Sequence, residues 1–494
     1  MYAWLKINIL LKMRNTFIIL LILSISFFAC KKMIDPSLVQ SNFPKEIATI
    51  FINKCATSGC HNDKSYQNAG GLNLTSYQKL FEGAVNGAVA VPYSASFSSM
   101  FQFVNTYDDL GLHITPSMPL NADALSREEV IAIKNWLENG CPDVNGNIPF
   151  SSDADTRPKA YVTNQGCDVV SVIDAETQLV MRYVKVGKLE NVIEIPHFIK
   201  LSEDKKYWYV CFSNGTYIQK FDAVSDKLLE TIEIGNGLWN IIKISHDGNT
   251  AFVSDLSSNG KIAEINLQSK AVKTYTGGLF DFPHGIALTE SSDTLYITAQ
   301  YGNMIYRLIP KINKLDKISL QKGIAPVTTS GILDPHEILM DKDYKRYFVT
   351  CQNSNEVRVM QTGTDTLLKT IAVGGFPLEM SISKKKNLLF VTCQEDFNPI
   401  SLAKGSVFVI DLQTLQTIKI IKEKFYQPHG IVVDDERGYL YVFSRNANLG
   451  GPAPHHTSEC GGRNGFYHVI DINSWQVVRA GFEISVDPYS ADFK

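Results

Sequence analysis

Tyr161-Val162-Thr163-Asn164 returns six more times along the chain. It comes back as Tyr209-Val210-Cys211-Phe212, Phe252-Val253-Ser254-Asp255, Tyr296-Ile297-Thr298-Ala299, Phe348-Val349-Thr350-Cys351, Phe390-Val391-Thr392-Cys393 and Tyr441-Val442-Phe443-Ser444. Successive copies stand about 40 to 50 residues apart, the period of a four-stranded propeller blade. Around each copy the pattern predicts an inner strand, a turn with Asp, Gly or Lys, the quoted strand, and third and fourth strands such as 169–174 and 227–234.

The units align by the pair of residues that enters each inner strand: Pro196-His197, Trp239-Asn240, Pro283-His284, Pro335-His336, Pro377-Leu378, Pro428-His429 and Pro488-Tyr489. The first unit, starting at Ala160, has no inner strand of its own. Residues 488–493, at the far end of the chain, are expected to complete it, closing the ring and removing its open edge. The fold expected is mainly β: a seven-bladed propeller over 159–494, with six or eight blades as alternatives. The tetrapeptide resembles the YVTN family of propellers, and the resemblance runs over the same residues.

In an antiparallel blade, the connection into the inner strand and the one between the second and third strands share a face. The longest insertions, 395–405 and 446–465, belong to the second kind, and 323–334 extends the first. Long loops on a rigid scaffold are where function concentrates. That face is expected to gather His197, His284, His336 and His429, with Asn240, Leu378 and Tyr489 at the other three entries. The 446–465 insertion adds His455, His456 and Cys460. Two readings stand side by side: imidazoles holding a second metal (copper, iron or zinc), or side chains that only line water and cap strand ends. Arg445 on the same rim is a candidate for an anionic group. Cys351 and Cys393 fall at equivalent places one blade apart, too far for a disulfide; they, Cys167 and Cys211 read as buried thiols.

At 494 residues the chain needs at least two domains. A formal net charge of -3 makes no case for nucleic acid. Nine cysteines are too few for a disulfide-built scaffold, so each is read singly.

Residues 1–30 read as an export signal. Lys6, Lys12 and Arg14 supply positive charge, and the apolar run from Phe17 to Phe28 ends at Ala29-Cys30-Lys31-Lys32. This resembles a lipoprotein cleavage site, with Cys30 as the lipid-bearing residue and Met1 or Met13 as the start; the alternative is a single membrane helix. Either reading places the protein at the cell envelope, and the lipoprotein reading anchors it to a membrane facing the periplasm or cell exterior. Residues 31–43 form a tether and 144–158 a linker rich in Asn, Gly, Ser and Asp.

Between them, 44–143 is expected to be a small all-α domain. Pro44 can open a helix whose face carries Ile47, Ile50 and Phe51. That helix delivers the chain to Cys55-Ala56-Thr57-Ser58-Gly59-Cys60-His61. Two thiols and an adjacent imidazole are what covalent haem attachment needs, although four residues separate the cysteines here instead of the common two. A Cys55–Cys60 disulfide or a zinc site is the alternative. Pro116-Ser117-Met118-Pro119 offers a thioether in a stiff loop as a sixth iron ligand; Met118 as plain core, or His113 as a rival ligand, is the alternative. Ser126 with Glu129 makes a capping box, Leu125 with Val130 its staple, and Val130, Ile133, Trp136 and Leu137 an apolar helix face ended by Gly140 and Pro142.

The order of helix, Cys/Cys/His, Met loop and closing helix resembles a class I cytochrome c. With Gly70-Gly71-Leu72-Asn73-Leu74, it is similar to cytochrome c-type domains of planctomycete and Bacteroidetes exported proteins. The resemblance implies one haem c, attached at Cys55 and Cys60, with His61 and Met118 on the iron.

Three functions follow as expectations. The first is a lipid-anchored electron-transfer protein whose propeller docks a redox partner protein or small molecule. The second is an oxidoreductase with another metal or cofactor at the propeller mouth. That plan is similar to haem-d nitrite reductases and nitrous oxide reductases, although no residue motif of either carries over. The third is a non-catalytic propeller that binds a protein or glycan.

Overall fold

The computed structural model describes Leu38 and residues 40–494. The export signal and Cys30 lie outside the described residues. Seven four-stranded antiparallel sheets form a propeller, preceded by a small helical region. Six blades each use four consecutive strands. Blade 1 takes Pro488–Phe493 as its inner strand beside Lys159–Asn164, pairing Ala160 with Phe493 and Val162 with Ala491. The expected ring closure and the count of seven both hold. Blade 7 is Pro428–Asp434, Tyr439–Ser444, Asn464–Asp471 and Val477–Val486.

The quoted repeat forms the second strand of each blade, where both faces are covered by neighbouring blades. Leu388–Cys393 is buried along its whole length, whereas the outer strand Gln416–Ile421 is mostly exposed. Aromatic and β-branched residues fit such a strand because each side chain meets packing on its own face. Trp208 in blade 2, for example, stacks on Phe221 with ring centroids 3.8 Å apart.

The third residue of the repeat has a more specific task. Thr163, Ser254, Thr298, Thr350 and Thr392 each donate a hydroxyl hydrogen bond to the next blade, reaching the carbonyls of His197, His284, His336, Leu378 and His429 at 2.7 to 3.1 Å. Four of these hydroxyls also accept a backbone N–H from their own inner strand, at Ser490, Gly285, Glu337 and Glu379. The inner strands slip register just after the entry proline. The slip frees backbone groups that would otherwise be buried without partners. The repeat therefore sews five of the blades to their successors at the point where the ladder fails.

In the helical region, α1 (Lys45–Ile50) runs into a wide turn, Phe51–Cys55, followed by α2 (Tyr77–Leu80), α3 (Ser99–Val104) and α4 (Arg127–Glu138). Pro44 stands at the N-cap of α1, where its missing N–H costs nothing. Phe43, Phe51 and Trp136 pack edge to face, 5.1 to 6.2 Å apart. The capping box forms as expected: Ser126 accepts from the Glu129 N–H, and Glu129 accepts from the Ser126 N–H.

This region sits on blades 1 and 7. Phe97 stacks on Tyr183 at 4.4 Å, and the Glu483 N–H donates to the Asn86 carbonyl at 2.9 Å. Gln102 donates to the Thr457 carbonyl and Ser96 to Glu459, both at 2.9 Å. One cysteine expectation fails here. Cys167 is no free thiol but forms a disulfide with Cys460, Cα atoms 5.5 Å apart across 293 residues of sequence. Ring closure carries the 446–465 insertion of blade 7 over the first turn of blade 1, which no local reading of either cysteine reveals. Cys211, Cys351 and Cys393 are buried free thiols, as expected. Among the described residues, no helix is long and apolar enough to cross a membrane.

Candidate functional site

The turn that ends the first helical segment brings Cys55 into the core of the helical region, while Cys60 stays half-buried; both are free thiols. The loop between them folds back so that the His61 N–H donates to the Cys55 carbonyl at 3.1 Å. The thiols and imidazole are thus held on one compact turn. His61 Nδ1 lies 3.2 Å from the Leu72 carbonyl. Leu72 belongs to the Gly-Gly-Leu-x-Leu stretch, whose two glycines adopt positive φ (67° and 72°) to turn the chain back toward the histidine. An imidazole held this way keeps its proton on Nδ1 and leaves Nε2 free as a donor to a metal. Burial pushes His61 below the usual histidine range, so the ring is neutral, as a ligand must be. Burial also drives the Cys55 thiol up to about 12.

Met118 packs against the same core as Cys55, and its N–H donates to the Phe103 carbonyl at 2.7 Å. Its rival His113 instead faces Asp108 at 3.6 Å and lines a cleft of about 880 Å3 between the helical region and blade 1. Cys55 and Met118 thus share one hydrophobic core, with the free Cys60 thiol and His61 on the turn that follows Cys55.

The channel of the disc has two distinct ends. At the insertion face, His197, His284, His336, His429 and Tyr489 form a closed circuit of rings. Successive centroids are 6.2, 4.2, 5.8, 3.7 and 4.4 Å apart. Burial holds His284 down at about 4 and the other three well below the usual range, so all four are neutral. Two are tied by backbone: His284 Nδ1 lies 3.1 Å from the His336 carbonyl, and His429 Nδ1 2.9 Å from the Tyr489 carbonyl. His336 Nδ1 and His429 Nε2 have no protein partner.

The other candidates stand apart from this circuit. His455 packs on Phe103, 5.1 Å away in the helical region, and His456 pairs with Glu483 at 2.9 Å. Cys460 is taken by its disulfide. Arg445 is clamped by Asp487 at 2.6 and 2.9 Å. Among the described residues, no three His, Cys, Asp or Glu side chains are arranged to hold a metal ion.

At the opposite end the channel opens into a cavity of about 540 Å3, lined by Lys200, Lys243, Glu337, Glu379 and Asp492 among apolar side chains. Sequence reasoning passed over these residues. The available signal was charge inside inner strands, at positions where sister blades carry Gly285, Gly430 or Ala287.

No protein-family model and no curated protein matches the chain. Among solved structures, the chain is similar to hydrazine synthase from Kuenenia stuttgartiensis, at 15% identity over 59% of this chain and 81% of that one, with a TM-score of 0.45. It is also similar to a protein of unknown function from Desulfotomaculum acetoxidans, at 15% identity over 67% of this chain and 99% of that one, with a TM-score of 0.49. At such identity the likeness concerns backbone shape alone.

Proposed function

We propose that the protein is an exported, lipid-anchored electron-transfer protein that holds one haem c in its helical region and uses the disc as a docking platform for a redox partner protein or small molecule. The observation that carries this reading is His61, which follows two free thiols and has its Nδ1 on the Leu72 carbonyl. Cys55 and Cys60 would hold the haem by thioethers, and His61 Nε2 and Met118 Sδ would donate to its iron. When bound, such a group supplies reversible one-electron transfer. The chain's own part is to fix the imidazole tautomer through Leu72, to keep His61 neutral by burial, and to seat the Met118 loop against the core.

Export agrees with the Cys167–Cys460 disulfide, since such bonds persist in oxidising compartments. The seat on blades 1 and 7 would fix the redox centre relative to the disc. The test is production in a host able to attach haem c. A reducible c-type band at one haem per chain is expected, shifted by loss of one thioether in Cys60→Ala, with covalent attachment lost when Cys55 and Cys60 are both replaced by Ala. His61→Ala should lower the reduction potential or broaden the band while the thioethers remain. No c-type band, or attachment that survives loss of both Cys55 and Cys60, overturns the reading.

A further inference from the structure

Lys200, Lys243, Glu337, Glu379 and Asp492 meet inside the channel, below a rim that carries further lysines and acids, and the two lysines face Asp492 and Glu337, leaving Glu379 over. Lys200 is engaged by Asp492 at 2.8 Å, which also accepts the Leu201 N–H. Lys243 lies 3.8 Å from Glu337, beyond hydrogen-bond distance. Glu337 is 3% exposed and neither of its carboxylate oxygens has a partner. Glu379, on the neighbouring blade, is 7% exposed, and its Oε1 has none either. Burying an unpaired carboxylate costs several kcal/mol, so such a group takes up a proton or a cation. Burial raises both acids, and the charge of Glu337 raises Glu379 further.

The walls decide which cation fits. Leu339, Met380, Ile431 and Val432 line the cavity beside the acids, and rim residues Lys384 and Glu436 are exposed, so it is open to solvent. At the other end of the channel stands the circuit of histidine and tyrosine rings. A cavity of about 540 Å3 that sets two buried carboxylates among apolar side chains, under a charged rim, has the size and mixed lining of a small-molecule site. The apolar part of the wall favours an organic cation over a hydrated metal ion, which gains nothing from it.

We propose that this cavity binds a small organic ammonium ion, its charged head between Glu337 and Glu379 and its carbon chain along Leu339, Met380 and Ile431. The ammonium donates to the unpartnered carboxylate oxygens and removes the charge imbalance. The apolar wall contributes by burial, and neutral molecules of the same shape are rejected because they leave the acids unpaired. The site is independent of the haem reading and stands or falls separately.

Calorimetric titration of the full chain with n-butylammonium chloride, 1-butanol and MgCl2 tests it. Saturable one-site binding of n-butylammonium is expected, without binding of 1-butanol or Mg2+. Glu379→Gln and Glu337→Gln should each weaken it by about 10-fold or more, the loss of one charge-assisted hydrogen bond. Thermal melting of these variants reports whether they fold; if they do not, the contrast between n-butylammonium and 1-butanol on the unaltered chain still decides. No saturable binding, equal binding of 1-butanol, binding of Mg2+ in place of the ammonium, or unchanged affinity in both folded variants overturns the proposal.

Discussion

The disc and the helical region solve the same problem, closing a core, by opposite means. The disc repeats one local rule around its ring. A hydroxyl at the third position of the repeat joins each of five blades to its successor, and one strand from the far end of the chain completes the first blade. The helical region has no repeat. Its order rests on single residues: Trp136 against Phe43 and Phe51, the Ser126–Glu129 box, and His61 on Leu72. Repetition makes the disc cooperative, whereas single-copy contacts let the helical region respond locally to one change. That separation can be broken at three places, with effects of decreasing size.

The largest effect is expected from deleting residues 488–494. This removes the inner strand of blade 1, the buried Tyr489 ring, and the Asp492 carboxylate that pairs with Lys200 in blade 2. It also exposes the open edge of Lys159–Asn164. The loss should exceed about 5 kcal/mol, enough to unfold a marginally stable domain. Circular dichroism and gel filtration should find no cooperative transition and aggregated material. A truncated protein that melts like the intact one would show that the ring does not depend on its closing strand.

The middle effect belongs to the Cys167–Cys460 disulfide. It ties blade 1 to the loop that seats the helical region, through Thr457 on Gln102 and Glu459 on Ser96. Cys460→Ser should cost about 2 to 4 kcal/mol by denaturant titration. Cys167→Ser should cost the same within error, because either change breaks one bond. The helical region should then open at lower denaturant than the disc. Unequal costs would point to a role for one cysteine beyond the disulfide.

These two cases also mark how far the sequence was legible. Seven blades and the closing strand at 488–493 could be read because each copy of the repeat corrects the reading of the others. The disulfide could not, since its halves are 293 residues apart and only ring closure makes them neighbours. The entry histidines were legible as a set, but two differences were not. His455 and His456 turn outward, to Phe103 and Glu483, because the insertion serves the helical region and not the channel. Glu337 follows an entry histidine and Glu379 an entry leucine, so the buried acids lie one residue beyond the entry pairs that align the blades. In the helical region, Cys55, Cys60, His61 and Met118 could be singled out by residue type. The Leu72 carbonyl that orients His61 is a backbone group, which residue type does not reveal.

The smallest effect is expected at Ser126. Its hydroxyl accepts the Glu129 N–H at 3.3 Å, and Glu129 answers by accepting the Ser126 N–H at 2.8 Å. Glu129 also accepts from Lys54 at 2.7 Å, on the turn that leads into Cys55. The cap therefore joins the start of α4 to the segment carrying the first thiol. Ser126→Ala should cost about 1 kcal/mol, the usual loss of a serine cap. The exposed Lys54–Glu129 pair adds little on its own. Hydrogen exchange should rise in α4 and the Phe51–Cys55 turn and stay unchanged in the blades, as single-copy order in one region and repeated order in the other require. Exchange that rises in blades 1 and 7 as well would mean that the helical region and the disc open as one unit.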